Sequence, residues 1–125
     1  MGFRRRFTLS RRLAPAVAAF VALCACASPT LPLPPPEAPS VAAGPDADHI
    51  ALTAPCGAAE PSAILVVDNT NPMVANDQAI SGTVADPCGS WNVPSVFAHN
   101  GDVLNITQQF GALISDSVTV VVDTP

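Results

Sequence analysis

Cys56, Cys88, His49, His99 and a scatter of aspartates are the residues of this chain whose chemistry goes beyond packing. The two cysteines lack C-x-x-C spacing, so they suit either a disulfide or a pair of thiolate metal ligands. Neither histidine stands at ligand spacing to them, which leaves the disulfide as the expected state. His49 follows Asp46 and Asp48, and His99 opens His99-Asn100-Gly101-Asp102, a turn sequence. Nucleophilic catalysis needs a base oriented by a carboxylate beside an activated Ser or Cys, with an oxyanion site. No serine lies in a G-x-S-x-G elbow, so no enzymatic activity, catalytic residue or cofactor site is expected. Asp68, Asn69, Asn71, Asn76, Asp77, Asp86 and Asp102 are hard oxygen donors in predicted loops, the kind that weak extracellular calcium sites use. Turns demand the same residues for backbone reasons, and EF-hand spacing is absent. Asn105-Ile106-Thr107, formally a glycosylation sequon, falls inside a predicted strand.

Where the protein goes is written more plainly than what it does. All five basic residues, Arg4, Arg5, Arg6, Arg11 and Arg12, lie in the first twelve positions of the 125-residue chain. An apolar run from Leu13 to Ala25 follows, interrupted by Pro15. It is about thirteen residues long, against roughly 20 for a bilayer-spanning helix, so a basic head and short apolar stretch read as an export signal. Arg4-Arg5-Arg6-Phe7-Thr8-Leu9 is similar to a partial twin-arginine signal, yet the arginines also fit an ordinary positive head.

The run ends Leu23-Cys24-Ala25-Cys26, which resembles the bacterial lipobox, with an aliphatic residue three before a cysteine and a small one directly before it. The resemblance implies diacylglycerol on Cys26 and a mature chain starting there. Cys24 suits that role poorly, because bulky Leu23 precedes it, and Cys24 itself occupies a position where this family more often has Ala, Ser or Thr. The competing reading takes Ala25-Cys26-Ala27 as an A-x-A cleavage site and starts the mature chain at Ser28. Ala27 and Ser28 carry no inner-membrane retention aspartate, which implies an outer-membrane or surface location for a lipidated chain in a diderm host.

Removing the signal leaves ten carboxylates and neither lysine nor arginine. Such a chain has no means of neutralising phosphates, so nucleic acid is excluded as a partner. Docking by charge on anionic lipid is excluded too, leaving acyl chains as the route to a membrane and basic or charge-indifferent surfaces as protein partners.

Pro29 to Pro45 contains seven prolines in seventeen residues, including Pro34-Pro35-Pro36. Proline fixes φ and removes donors, so an unpacked spacer reaching roughly 50 Å is expected at about 3.1 Å per residue. Beyond it the pattern changes to strands. Val118, Val120 and Val122 alternate with Ser117, Thr119, Val121 and Asp123, and Leu104 and Ile106 with Val103, Asn105 and Thr107, the period of a strand with one face buried. Ile80, Gly82 and Val84 face opposite to Ser81 and Thr83. Ser62 to Val67 is a β-branched run, and Trp91 to Phe97 a strand that Pro94 confines to an edge. Asn100-Gly101 predicts a type I′ hairpin between the strand ending near Phe97 and the one starting at Asp102.

Gln78-Ala79-Ile80-Ser81-Gly82-Thr83-Val84-Ala85-Asp86 and the closing strand Asp116 to Asp123 resemble the immunoglobulin-like modules of bacterial envelope proteins. Trp91 follows the second cysteine, and there is no tyrosine, unlike antibody-type domains. The expected organisation is a signal peptide over 1–25, a lipidated N-terminus and proline-rich linker over 26–48, and a small all-β immunoglobulin-like sandwich over 49–125 in which Cys56 bridges Cys88. The expected role is a membrane-anchored module for an envelope protein partner. A secreted or periplasmic domain binding a small ligand or calcium is the alternative.

Overall fold

A computed structural model describes residues 31–124. Antiparallel strands account for nearly all of their regular structure. Strands β1 (Ser40–Ala43), β2 (His49–Ala54) and β5 (Trp91–Phe97) form one sheet in the order β1-β2-β5. The second sheet runs β4 (Ile80–Val84), β3 (Ile64–Asn69), β6 (Val103–Phe110), with β7 (Leu113–Ile114) and β8 (Val118–Val121) both pairing to β6. One helical turn, α1 (Asn76–Ala79), leads into β4.

The period-two pattern places the core. Leu65 and Val67 from β3 and Leu104 and Ile106 from β6 point inward from the larger sheet. They meet Ile50, Leu52 and Ala54 from β2 and Trp91, Val93 and Val96 from β5. Val118 and Val120 pack against this cluster and Val122 is buried in it, as the alternation of the last strand requires. Burying each such Leu, Ile or Val stabilises by about 1.5–3 kcal/mol. Pro94 sits on an edge strand, where its missing N–H breaks no ladder. The register of β2 against β5 slips there: Leu52 faces Val93 while Ile50 faces Val96.

The hairpin expectation fails because core faces outrank local turn chemistry. His99-Asn100-Gly101-Asp102 is a tight turn, with Asp102 N–H donating to His99 O at 3.0 Å, but β5 and β6 lie in different sheets and do not pair. Only Gly101 has positive φ, +93°, which matches a type II turn. Type I′ geometry suits twisted hairpin partners; here the chain turns a corner from sheet to sheet. In β4 the larger side chains face out, with Ile80 56% and Val84 59% exposed. Ser81 and Thr83 stand opposite fully buried Val67 and Leu65, so register sends the small polar residues inward.

The proline-rich stretch is not an unpacked spacer over its described part, and the domain starts before His49. Ser40–Ala43 forms β1 on β2, Pro36 and Pro39 are buried, and Glu37 N–H donates to Ala58 O at 2.8 Å. Proline lacks a donor but keeps its carbonyl, and Gln108 exploits that. This side chain, 2% exposed, donates from Nε2 to Pro34 O at 2.7 Å and accepts from Glu60 N–H at 2.8 Å. Residues from Pro34 onward therefore add nothing to reach, and the 50 Å figure falls. Replacing Gln108 by Leu should remove both part-buried bonds, to Pro34 O and from Glu60 N–H, costing about 1 kcal/mol. Hydrogen exchange should then quicken at the Glu37 and Glu60 amides before the β3 and β6 amides respond; uniform quickening would refute the clasp.

The expected bridge is present. Cys56 follows β2 and Cys88 precedes β5, their Cα atoms 5.0 Å apart, so the disulfide closes one end of the smaller sheet instead of crossing between sheets. Gly57 N–H donates to Cys88 O and Ala59 N–H to Gly89 O beside it, at 2.8 and 3.0 Å.

Candidate functional site

Both histidines arrive at one cleft of about 280 Å³ between the β1–β2 turn and the corner after β5. The turn is shaped by Asp46, whose Oδ1 accepts from Asp48 N–H at 2.9 Å and lies 2.7 Å from His49 Nδ1. His49 pairs with Phe97 across the sheet. Ala98 N–H donates to Asp48 O at 3.1 Å, and His99 Nε2 lies 2.9 Å from Asp48 Oδ1. Each imidazole stands edge-on to the Phe97 ring, with centroids at 5.5 and 5.3 Å. Two imidazole–carboxylate pairs therefore flank one aromatic ring. The hydrogen bond from His49, followed by that from the Asp48 backbone, holds the Asp46 carboxyl below its ordinary value.

His49 with Asp46 was visible as a local pair, three residues apart. His99 with Asp48 was not, because 51 residues separate them and only the sheet-to-sheet corner brings them together. An imidazole held by a carboxylate is half of a general-base device. The hydroxyl that completes such a device is missing from this cleft: Thr124 lines it, but its Oγ1 donates to Asn100 Oδ1 at 2.9 Å. With Arg4 to Arg12 the only other basic side chains, these two histidines are the only side chains of the described residues that can become cationic.

Behind the corner, the proposed calcium donors divide. Asn69, Asn71 and Asp102 meet, but through hydrogen bonds that use their oxygens. Asn69 Nδ2 donates to Asp102 Oδ2 at 2.9 Å, Asn71 Nδ2 to Oδ1 at 2.8 Å, and His99 N–H to Oδ2 at 3.0 Å. The two amide oxygens are taken by Asn71 N–H and Met73 N–H, each at 3.0 Å. This knot is an internal tie. Asp102 is 7% exposed; burial pushes its carboxyl up, and the donors from Asn69, His99 and Asn71 outweigh that and leave it below its ordinary value. Among the described residues, no group of three or more His, Cys, Asp or Glu side chains is placed to hold one metal ion. Asp68, Asn76, Asp77 and Asp86 do not join the Asp102 knot.

Trp91 is a core residue, with a buried Nε1 that has no hydrogen-bond partner. Cys56 and Cys88 are joined. Cys26, the lipidation candidate, lies outside the described residues, as do the signal segment and the twin-arginine motif. No protein-family model, no curated protein and no solved structure matches this chain.

Proposed function

We propose that this chain is an exported lipoprotein, held to a membrane by acyl chains on Cys26, that presents residues 34–124 to a protein partner in a cell envelope. The observation that carries it is the order of five arginines, a short apolar run and Leu23-Cys24-Ala25-Cys26. The Cys56–Cys88 bridge supports it from the other end of the chain, since structural disulfides belong to oxidising compartments. We read the domain as immunoglobulin-like in architecture, on the strength of its two antiparallel sheets around one core. Cys26 and Pro34 stand eight positions apart in the sequence, a length that spans at most about 28 Å. Ala27 and Ser28 favour the outer membrane in a diderm host, and the lack of Lys and Arg beyond Arg12 speaks against nucleic acid as a partner.

Intact-mass measurement on the mature protein from its host tests this directly. A diacyl- or triacyl-cysteine at position 26 is the expected N-terminus, and an unmodified start at Ser28 would refute anchoring. The second reading, a secreted or periplasmic small-ligand domain, draws on the His49–His99 cleft. It predicts the Ser28 start together with a small molecule that co-purifies. Partner capture needs carboxyl-directed cross-linking, because a lysine-free chain is silent to amine reagents.

A further inference from the structure

Four strand edges bound the two sheets, and three of them carry features that discourage further pairing. β1 is four residues long, set between Pro39 and Pro45. β5 carries Pro94 and a register slip. The edge beyond β6 is broken between β7 and β8 over Ser115–Ser117, which includes Asp116. Charge, proline, shortness and irregularity are the usual means of blunting an edge. β4 has none of them: Ile80-Ser81-Gly82-Thr83-Val84 runs in unbroken register against β3, with no proline and no charge.

The ladder fixes which groups are free. Ala85 N–H donates to Ala63 O at 2.8 Å, continuing the β3–β4 register. Hydrogen-bonded and non-bonded pairs alternate in an antiparallel ladder, so Ser81 and Thr83 bond to β3. Ile80, Gly82 and Val84 turn their N–H and C=O groups to the open side. The complementary parity holds on the other flank of β3, where Thr70 N–H bonds Val103 O and the even-numbered residues of β3 face β6. Beside this open row lies an apolar strip on the outer face, formed by Ile80, Val84 and the half-exposed Ile64 and Val66. Acids stand at both ends: Asp77 and Asp68 near Ile80, and Asp86 just beyond Val84.

We propose that the free edge of β4 docks an extended segment of a partner protein, apolar at its centre and carrying Lys or Arg at both ends. The segment adds as a further strand, bonding to Ile80, Gly82 and Val84, laying alternate side chains on the Ile64–Val84 strip and setting its end charges against the acids. A second copy of this chain does not fit, because pairing β4 with β4 sets acid against acid and no Lys or Arg follows Arg12. The proposal rests on the interaction-module reading and supplies its surface.

The test uses the mature protein and two blocked peptides, Lys-Val-Thr-Val-Thr-Val-Lys and its Glu-ended counterpart. Amide shift changes should appear on adding the Lys-ended peptide, with exchange slowed at Ile80, Gly82 and Val84, and binding should weaken as salt rises. Val84→Pro removes an outward N–H while sparing the β3 ladder; it should weaken binding about tenfold or more, with a melting curve confirming the fold. Asp68→Asn with Asp77→Asn should weaken only the Lys-ended peptide, again about tenfold. Equal binding of the Glu-ended peptide, shifts away from β4, or no binding at millimolar peptide would overturn the docking edge. Carboxyl-directed cross-links from the envelope separate the two levels: a partner linked away from β4 overturns the edge and leaves the interaction module standing. A Ser28 start removes the anchor and leaves the edge untouched.

Discussion

Asp102→Ala should destabilise the domain by about 3 kcal/mol, because it strands three donors at once, one of them buried and two part-buried. Asn69 Nδ2, Asn71 Nδ2 and His99 N–H all converge on this carboxylate. Its backbone meanwhile closes the corner turn and accepts from Val122 N–H at 2.9 Å. Asp102→Asn is the sharper variant, since it keeps the volume but turns an NH2 toward donors. The loss should carry a pH signature. The folded carboxyl titrates below its ordinary value of 3.8, so its contribution is complete above the unfolded pKa and drains away as pH falls through the folded one. Urea melts of the protein and of Asp102→Asn should therefore differ by a constant amount from about pH 7 down to about pH 5, then converge toward about pH 2. A gap unchanged at the acid end would show that shape, not ionisation, holds the corner. Asp46 also titrates low, but it is exposed beside His49, so Asp46→Asn should shift the profile little and less still in high salt.

How much of this was legible in the sequence depends on whether the information is local. Leu104, Ile106 and Val122 declare their faces by alternation alone, and all three are buried. The Cys56–Cys88 bridge followed from there being a single pair of cysteines beyond Cys26. Pro94 marked an edge because a missing donor has one consequence wherever the strand ends up. Asn100-Gly101 declared a turn but could not say which sheet the next strand would join. That choice belongs to Leu104 and Ile106, which complete the core only from the sheet opposite Val93 and Val96. Alternation in β4 sets Ile80, Gly82 and Val84 apart from Ser81 and Thr83 but does not say which set meets the core; register with Leu65 and Val67 turns Ser81 and Thr83 inward.

The misreading of the proline-rich stretch has a different origin. Proline content speaks to donors and torsions, whereas docking was decided by an acceptor, Pro34 O, and a glutamine 74 residues away. Asp48 and His99 were hidden in the same way. Nothing near either residue signals the other, and both occupy turns that polar residues favour for backbone reasons.

Removing the bridge should have an effect as large as that of Asp102, and by a different route. With Cys56 and Cys88 a sequence separation of 32 apart, the chain-entropy model assigns the disulfide roughly 3 to 4 kcal/mol, acting on the unfolded chain. The folded loops keep their own ties, Gly57 N–H to Cys88 O and Ala59 N–H to Gly89 O. Cys56→Ser with Cys88→Ser should therefore fold to the same strands and melt roughly 15 to 25 °C lower. The denaturant slope should steepen, because an uncrosslinked unfolded chain exposes more surface. A lowered midpoint with an unchanged slope would place the effect in the native loops instead, and an unchanged midpoint would refute the bridge as a stabiliser. Net stabilities of small domains run to about 5–15 kcal/mol, so the reduced chain should retain only part of its margin. For the exported lipoprotein we propose, dependence on oxidation to that degree favours folding after export, which sets the bridge against the twin-arginine route and in favour of the unfolded-chain one. Chasing newly made protein with a thiol-alkylating probe decides it: Cys56 and Cys88 should be fully modified before export and protected after it.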